Sequence, residues 1–188
     1  WLMGFYAVTF GGFVGLAASL PIYFTDRFGL TTVTAGDCTA ACVFAGSLVR
    51  PLGGALADRI GGVKTLSAVF AVAAPMLAGI AGAPTVASAL GLFVVAMLAL
   101  GAGNGAVFQL VPQRFAGEIG VMTGLVGMAG GIGGFYLASS LGLAKQLTGS
   151  FSPGFLSFAG LALVALAGLT LVKRGWRARW GAAASVRI

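Results

Sequence analysis

Six apolar stretches, each near the length a helix needs to cross a hydrocarbon core, divide this chain of 188 residues. A crossing helix takes about 20 residues, and the stretches fall near 2–24, 37–57, 64–82, 86–111, 119–143 and 154–173. Between them run TDRFGLTTVTAGD, DRIGGVK, AGAPT, PQRFAGE and KQLTGSFSP, with KRGWRARW after the last, all rich in Gly, Pro or charge as breakers are. Lipid leaves a backbone only helices or closed barrels, and stretches this long and continuously apolar are helical. With 59% hydrophobic and 8% charged residues the chain cannot cover a folded surface in water, where about a quarter are charged. The expected class is an all-α integral membrane protein of six transmembrane helices, with the 32 glycines letting the helices pack closely.

The net charge of +7 does not read as a nucleic-acid surface, because the basic residues sit at the ends of spans. Arg59 and Lys64 lie in DRIGGVK and Arg114 in PQRFAGE, while Lys173, Arg174, Arg177, Arg179 and Arg187 follow the last span. Only Arg27 and Lys145 fall on the opposite side. The basic side is the cytoplasmic one, so both termini are expected there, as an even number of crossings requires. The reading divides the chain into a transmembrane domain, 1–173, and a basic cytoplasmic tail, 174–188, with Trp176 and Trp180 at headgroup level. A start at Trp1 reads as internal to a longer protein.

No catalytic chemistry is legible. The chain has no His, no nucleophile–base pair and no P-loop, and the G-x-G at Gly101–Gly103 lies inside a span where a dinucleotide site needs a strand–turn–helix. Cys38 and Cys42, four apart, suit neither a redox pair nor a zinc site and read as small packing residues. Neither a metal nor a cofactor is expected.

Against this background Arg50 stands out. From Ala40 to Ala57 the chain reads AACVFAGSLVRPLGGALA, with no acidic residue to neutralise it. An ionisable group inside a membrane is costly and marks a functional site. Gly46, Arg50 and Gly54 recur every fourth residue and so share a helix face, which leaves room around a guanidinium. Its planar fork suits a planar oxyanion. Tyr6 and Phe10, also four apart, give the first span an aromatic wall.

Gly54-Ala-Leu56-Ala57-Asp58-Arg59-Ile60-Gly61-Gly-Val-Lys64 resembles the G-x-L-x-D-R-x-G-x-x-K loop motif of the major facilitator superfamily. The resemblance implies a gating loop between the second and third helices of a six-helix half, built from two inverted three-helix repeats. In it Gly54 permits close helix approach, Asp58 caps a neighbouring helix or pairs with a basic residue, and Arg59 and Lys64 meet the anionic leaflet. Four further stretches resemble the C-terminal half of the nitrate/nitrite porter family: Tyr6 to Phe13, Arg50-Pro-Leu-Gly-Gly54, Gly101 to Pro112, and the glycine-rich Thr123 to Phe135. By that resemblance Arg50 is the nitrate-binding arginine of this half, and Tyr6 and Phe10 are its aromatic site residues. The expected partners are nitrate and nitrite, the bilayer of a cytoplasmic (inner) membrane, and an N-terminal six-helix half with a second arginine.

In the fifth span Gly120, Gly124, Gly127, Gly131 and Gly134 alternate steps of four and three. They are expected to form one packing stripe, with Gly130 and Gly134 as substrate neighbours. Asn104 and Gln109, polar groups within the fourth span, either bond between helices or line the path; Asn104 is taken as a site residue. No Asp, Glu or His sits mid-span, so exchange of nitrate for nitrite is favoured over proton symport. The other readings are a carrier for an organic anion and a truncated half that does not transport.

Overall fold

The computed structural model describes residues 1–180. They form α1 (Leu2–Phe28), α2 (Thr32–Leu48), α3 (Arg50–Ile60), α4 (Gly62–Ala81), α5 (Val86–Arg114), α6 (Ile119–Thr148) and α7 (Ser152–Trp180), with no strand among the described residues. Among the described residues six spans are long and apolar enough to cross a membrane, and α2 with α3 makes one of them, Thr32–Ile60. The helices run past the sequence-derived limits because hydropathy marks the hydrocarbon core, whereas helical hydrogen bonding continues to the local caps. Thr31 accepts from the Thr34 backbone N–H at 3.3 Å to start α2. Thr85 and Ser88 form a reciprocal capping box that starts α5.

The break inside the second span lies at Val49. Pro51 has no N–H to offer the carbonyl four residues back and its ring crowds that carbonyl. The helix closes at Leu48 and restarts with Arg50, with Pro51 in the first turn where a missing donor is harmless.

Packing follows a two-fold pattern. The first span packs on the fifth (α1 on α6), and the fourth packs on the second (α5 on α2 and α3). Exchanging first with fourth, second with fifth and third with sixth turns one contact into the other, and the α4–α7 contact into itself. Three crossings are an odd number, so the second repeat enters from the opposite side and is inverted. Both related crossings run on glycine. A side chain on Gly11 would meet the Gly133 carbonyl carbon at 2.6 Å and the Gly134 nitrogen at 2.8 Å; one on Gly105 would meet the Gly54 nitrogen at 2.6 Å and the Arg50 carbonyl. Backbone-to-backbone contact of this kind is what holds helices together in lipid.

The expected stripe of the fifth span is corrected by this packing. A side chain on Gly120, Gly124, Gly127 or Gly131 would meet nothing within 4 Å, and the row in contact is Gly130, Gly133 and Gly134. Close approach at the second span likewise falls on Gly53, against the Ala102 backbone, more than on Gly54, whose nearest neighbour would be 3.8 Å away.

The loop motif joins α3 to α4 through Gly61, at φ 100°, ψ 138°. That backbone region is costly for a side chain, so the motif's glycine is a geometric requirement. Gly61→Ala is expected to lower stability by about 2 kcal/mol, read as a lower unfolding midpoint in detergent. Asp58, Arg59 and Lys64 are exposed around the joint. The cap of α4 is Gly61, with no side-chain hydrogen bond, so Asp58 does not cap that helix.

At the opposite end, Tyr23 gathers Phe93, Phe151 and Phe155 from the fourth span, the α6–α7 turn and the sixth span, with ring centroids 5.2–5.6 Å away. Asp26 and Lys145 pair there at 3.4 Å; both are partly exposed, which makes the pair worth less than about 1 kcal/mol. Helix α7 continues beyond 173 to Trp180, and Trp176 meets Phe5 edge-on. Residues 181–188 of the expected tail, with Arg187, lie outside the described residues, as do the side chains of Arg174, Arg177, Arg179 and Trp180.

Candidate anion-binding site

Arg50 enters the bundle from the first turn of α3, at the middle of the second span. Its guanidinium carbon lies 4.6 Å from the ring centroid of Phe13 and 5.4 Å from that of Phe10, both on α1. Phe10 in turn stacks on Tyr6, centroids 5.1 Å apart and planes within 3°, and Phe108 of α5 closes edge-on against Tyr6 at 4.9 Å. A membrane-embedded cation therefore lies against two rings of α1, which continue through Tyr6 to Phe108 of α5 as one aromatic wall. Among the described residues Arg50 has no carboxylate partner and no hydrogen bond.

Glycine sets the depth of this site. A side chain on Gly130 would lie 2.6 and 2.7 Å from two ring carbons of Tyr6 and 2.8 Å from Phe10, so α6 presses its bare backbone onto the aromatic wall. Gly134, one turn on, faces Val14 and the Gly11 carbonyl. It belongs to the α1–α6 crossing, beside the wall and not against it.

Asn104 lies on α5 between two glycines that touch opposite neighbours. A side chain on Gly103 would meet the Thr9 methyl at 2.7 Å, and one on Gly105 the Arg50 carbonyl. Asn104 is also one turn before Phe108, on the face that meets α1. It is 3% exposed, yet neither atom of its amide has a partner; Thr9, 0% exposed, has an unpartnered hydroxyl, and the Nε of Arg50 is sealed in the same condition. Unpaired polar atoms cost several kcal/mol each in an apolar medium. Their concentration where α1, α3 and α5 meet is the departure from good packing expected of a functional site. Neither Asn104 nor Gln109 bonds to another helix, and the Gln109 side-chain oxygen lies beneath Gly62 at the loop joint.

Tyr6, Phe10, Arg50 and Gly130 thus converge, with Asn104 in the adjoining layer. The sequence reading missed Phe13, Phe108 and Thr9. Phe13 was within reach, since Tyr6, Phe10 and Phe13 follow the four-then-three spacing of one helix face. Phe108 belongs to a distant segment, and only tertiary packing brings it to Tyr6.

Of the loop-motif residues, Gly54 lies one turn after Arg50 at the α3–α5 crossing, beside Gly105, whereas Asp58, Arg59, Gly61 and Lys64 fall at or next to the α3–α4 joint. These last four mark the α3–α4 joint and not the aromatic wall.

The family model that matches residues 1–138 is the one described as Major Facilitator Superfamily. Over 174 residues the chain is 39% identical to a nitrite extrusion protein of Bacillus subtilis, covering 89% of this chain and 42% of that protein. A probable nitrate/nitrite transporter of Mycobacterium tuberculosis is 38% identical over 88% of this chain and 43% of its own length. A probable nitrate/nitrite antiporter of Thermus thermophilus is 33% identical over 77% and 37%. The chain spans about two fifths of the length of these relatives.

Proposed function

Because the chain belongs to the major facilitator superfamily, and within it to the nitrate/nitrite porter family, we propose that it is the C-terminal half of a twelve-helix carrier that moves nitrate and nitrite by alternating access. It is a multi-pass membrane protein of a transporter family and not an enzyme. The observation that carries the proposal is Arg50: a membrane-embedded guanidinium with no carboxylate partner among the described residues, laid against aromatic faces, with the bare Gly130 backbone packed on the Tyr6–Phe10 wall. The stacked guanidinium leaves in-plane N–H donors for a planar oxyanion, and the Tyr6–Phe10 wall offers a flat face and excludes water. Tyr6, Phe10, Gly130 and Asn104 share the site; Gly134 supports it from the α1–α6 crossing. The confined wall favours a small planar ion over an organic carboxylate.

A partner half supplies the remainder. The second and fifth spans are the least buried, with 22% of their most apolar stretch covered against 56% for the first. They expose Phe44, Leu48 and Leu52 on one and Ile132, Phe135 and Tyr136 on the other. An N-terminal half seated on these faces would bring a second arginine to the same anion. Two cations without an anion disfavour the occluded state, so substrate permits the rocking step and exchange is favoured. The Gly54–Lys64 motif, with Gly54, Asp58, Arg59, Gly61 and Lys64, gates the cytoplasmic end, and the positive-inside rule places both termini on the cytoplasmic side of the inner membrane.

Counterflow of labelled nitrate into nitrite-loaded proteoliposomes tests this. The chain is reconstituted alone and joined to a matching N-terminal half. Uptake is expected in the joined form and is expected to disappear with Arg50→Ala. Correct insertion without uptake in either form would leave the organic-anion carrier or a non-transporting half.

A further inference from the structure

Of the two rings over which the Arg50 guanidinium lies, Phe13 is the closer, with its centroid 4.6 Å from the guanidinium carbon, and the pairing is built from both sides. Phe10, at 5.4 Å, has its face engaged by Tyr6 in a parallel stack. Phe13 makes no ring–ring pair among the described residues and is 4% exposed, so its face is left to the cation. The ring stands where it does because Gly46, one turn before Arg50 on the second span, has no side chain: a Cβ there would run into the Phe13 ring edge and lie 2.6 Å from the Met97 carbonyl. The slot and the arginine come from the same span, four residues apart, on either side of the break at Val49. Pro51 fixes where the arginine starts, and Phe13, through the Gly46 slot, fixes where it ends.

We propose that Phe13 is a positioning residue for substrate binding: its ring, seated against Gly46, holds the Arg50 guanidinium flat so that its free N–H edge meets the anion. The inference rests on the anion site read above. A cation over an aromatic face in a site shielded from water is attracted strongly. An arginine side chain otherwise spreads over many rotamers, and holding it in place before binding raises affinity without a new contact to the ligand. A group that only orients the arginine therefore shows in KM and leaves kcat alone.

The test uses this chain joined to a matching N-terminal half, with nitrate as the probe. Phe13→Leu, which fills similar space without a π face, is expected to raise KM about tenfold with kcat and the unfolding midpoint kept. Phe13→Tyr, which keeps the ring, is expected to restore KM to near its starting value. Unchanged KM in Phe13→Leu, or a rise that Phe13→Tyr fails to restore, would overturn the positioning role. Arg50→Lys in the same preparation separates the two levels. If it is impaired while Phe13→Leu is silent, only the role of Phe13 falls; if it too transports normally, the anion site falls with it.

Discussion

In Arg50→Lys, affinity for nitrate is expected to fall roughly a hundredfold, while the amount of inserted protein stays the same. Lysine keeps the positive charge and tolerates the first turn of α3, so membrane insertion and the break at Val49, which Pro51 imposes, are unaffected. Lost is the planar fork. A guanidinium offers parallel donors to two oxygens of one anion, whereas an ammonium is a strongly hydrated point charge that also lies less well on an aromatic face. Losing one charge-assisted hydrogen bond and part of the stacking is worth about 3 kcal/mol, the hundredfold stated. Initial rates of labelled nitrate uptake across a concentration series, normalised to immunodetected protein in the membrane, measure it. Uptake equal to that of the unsubstituted chain would remove Arg50 from the substrate site and leave it as a structural arginine.

The sequence made the six crossings legible because lipid forces continuous apolar helices, and hydropathy reads that constraint directly. It also marked Arg50 and Pro51, since a charge and a helix breaker are anomalies in an apolar run. Periodicity alone could not tell which of two glycine rows on the fifth span faces the bundle. Gly120, Gly124, Gly127 and Gly131 repeat more regularly, yet Gly130, Gly133 and Gly134 make the contacts. Both rows are small for a reason in a chain whose fifth span is mostly uncovered. A row left open here is available to the half proposed to sit on it. The aromatic side of the site shows the same limit. Tyr6, Phe10 and Phe13 are readable as one face of one helix, but Phe108 reaches Tyr6 only because the fourth span packs antiparallel to the first. The unpaired Thr9 hydroxyl is likewise a property of packing, as a lone threonine in a span usually bonds its own helix.

Alanine at Gly130, Gly133 and Gly127 is expected to give three different results from one chemical change. At Gly133 the new methyl would enter the Ala7 backbone, its carbonyl included. Backbone cannot rotate aside, so α1 and α6 must part along their whole crossing, and overpacking of this kind costs up to about 3 kcal/mol. The expected outcome is a severe loss of folded protein by size-exclusion chromatography. At Gly130 the atoms nearest the methyl would be ring carbons of Tyr6 and Phe10, at 2.6–2.8 Å, and rings can tilt. That variant is expected to fold but to transport poorly, with KM raised at least about tenfold, because the tilt moves the stacked pair against which Arg50 lies. At Gly127 nothing lies within 4 Å in this half, so its folding is expected to be unchanged. The contrast separates a structural crossing from a functional wall three residues away on the same helix. Normal transport by a well-folded Gly130→Ala would mean that the Tyr6–Phe10 wall is packing only, and that the anion is held without it.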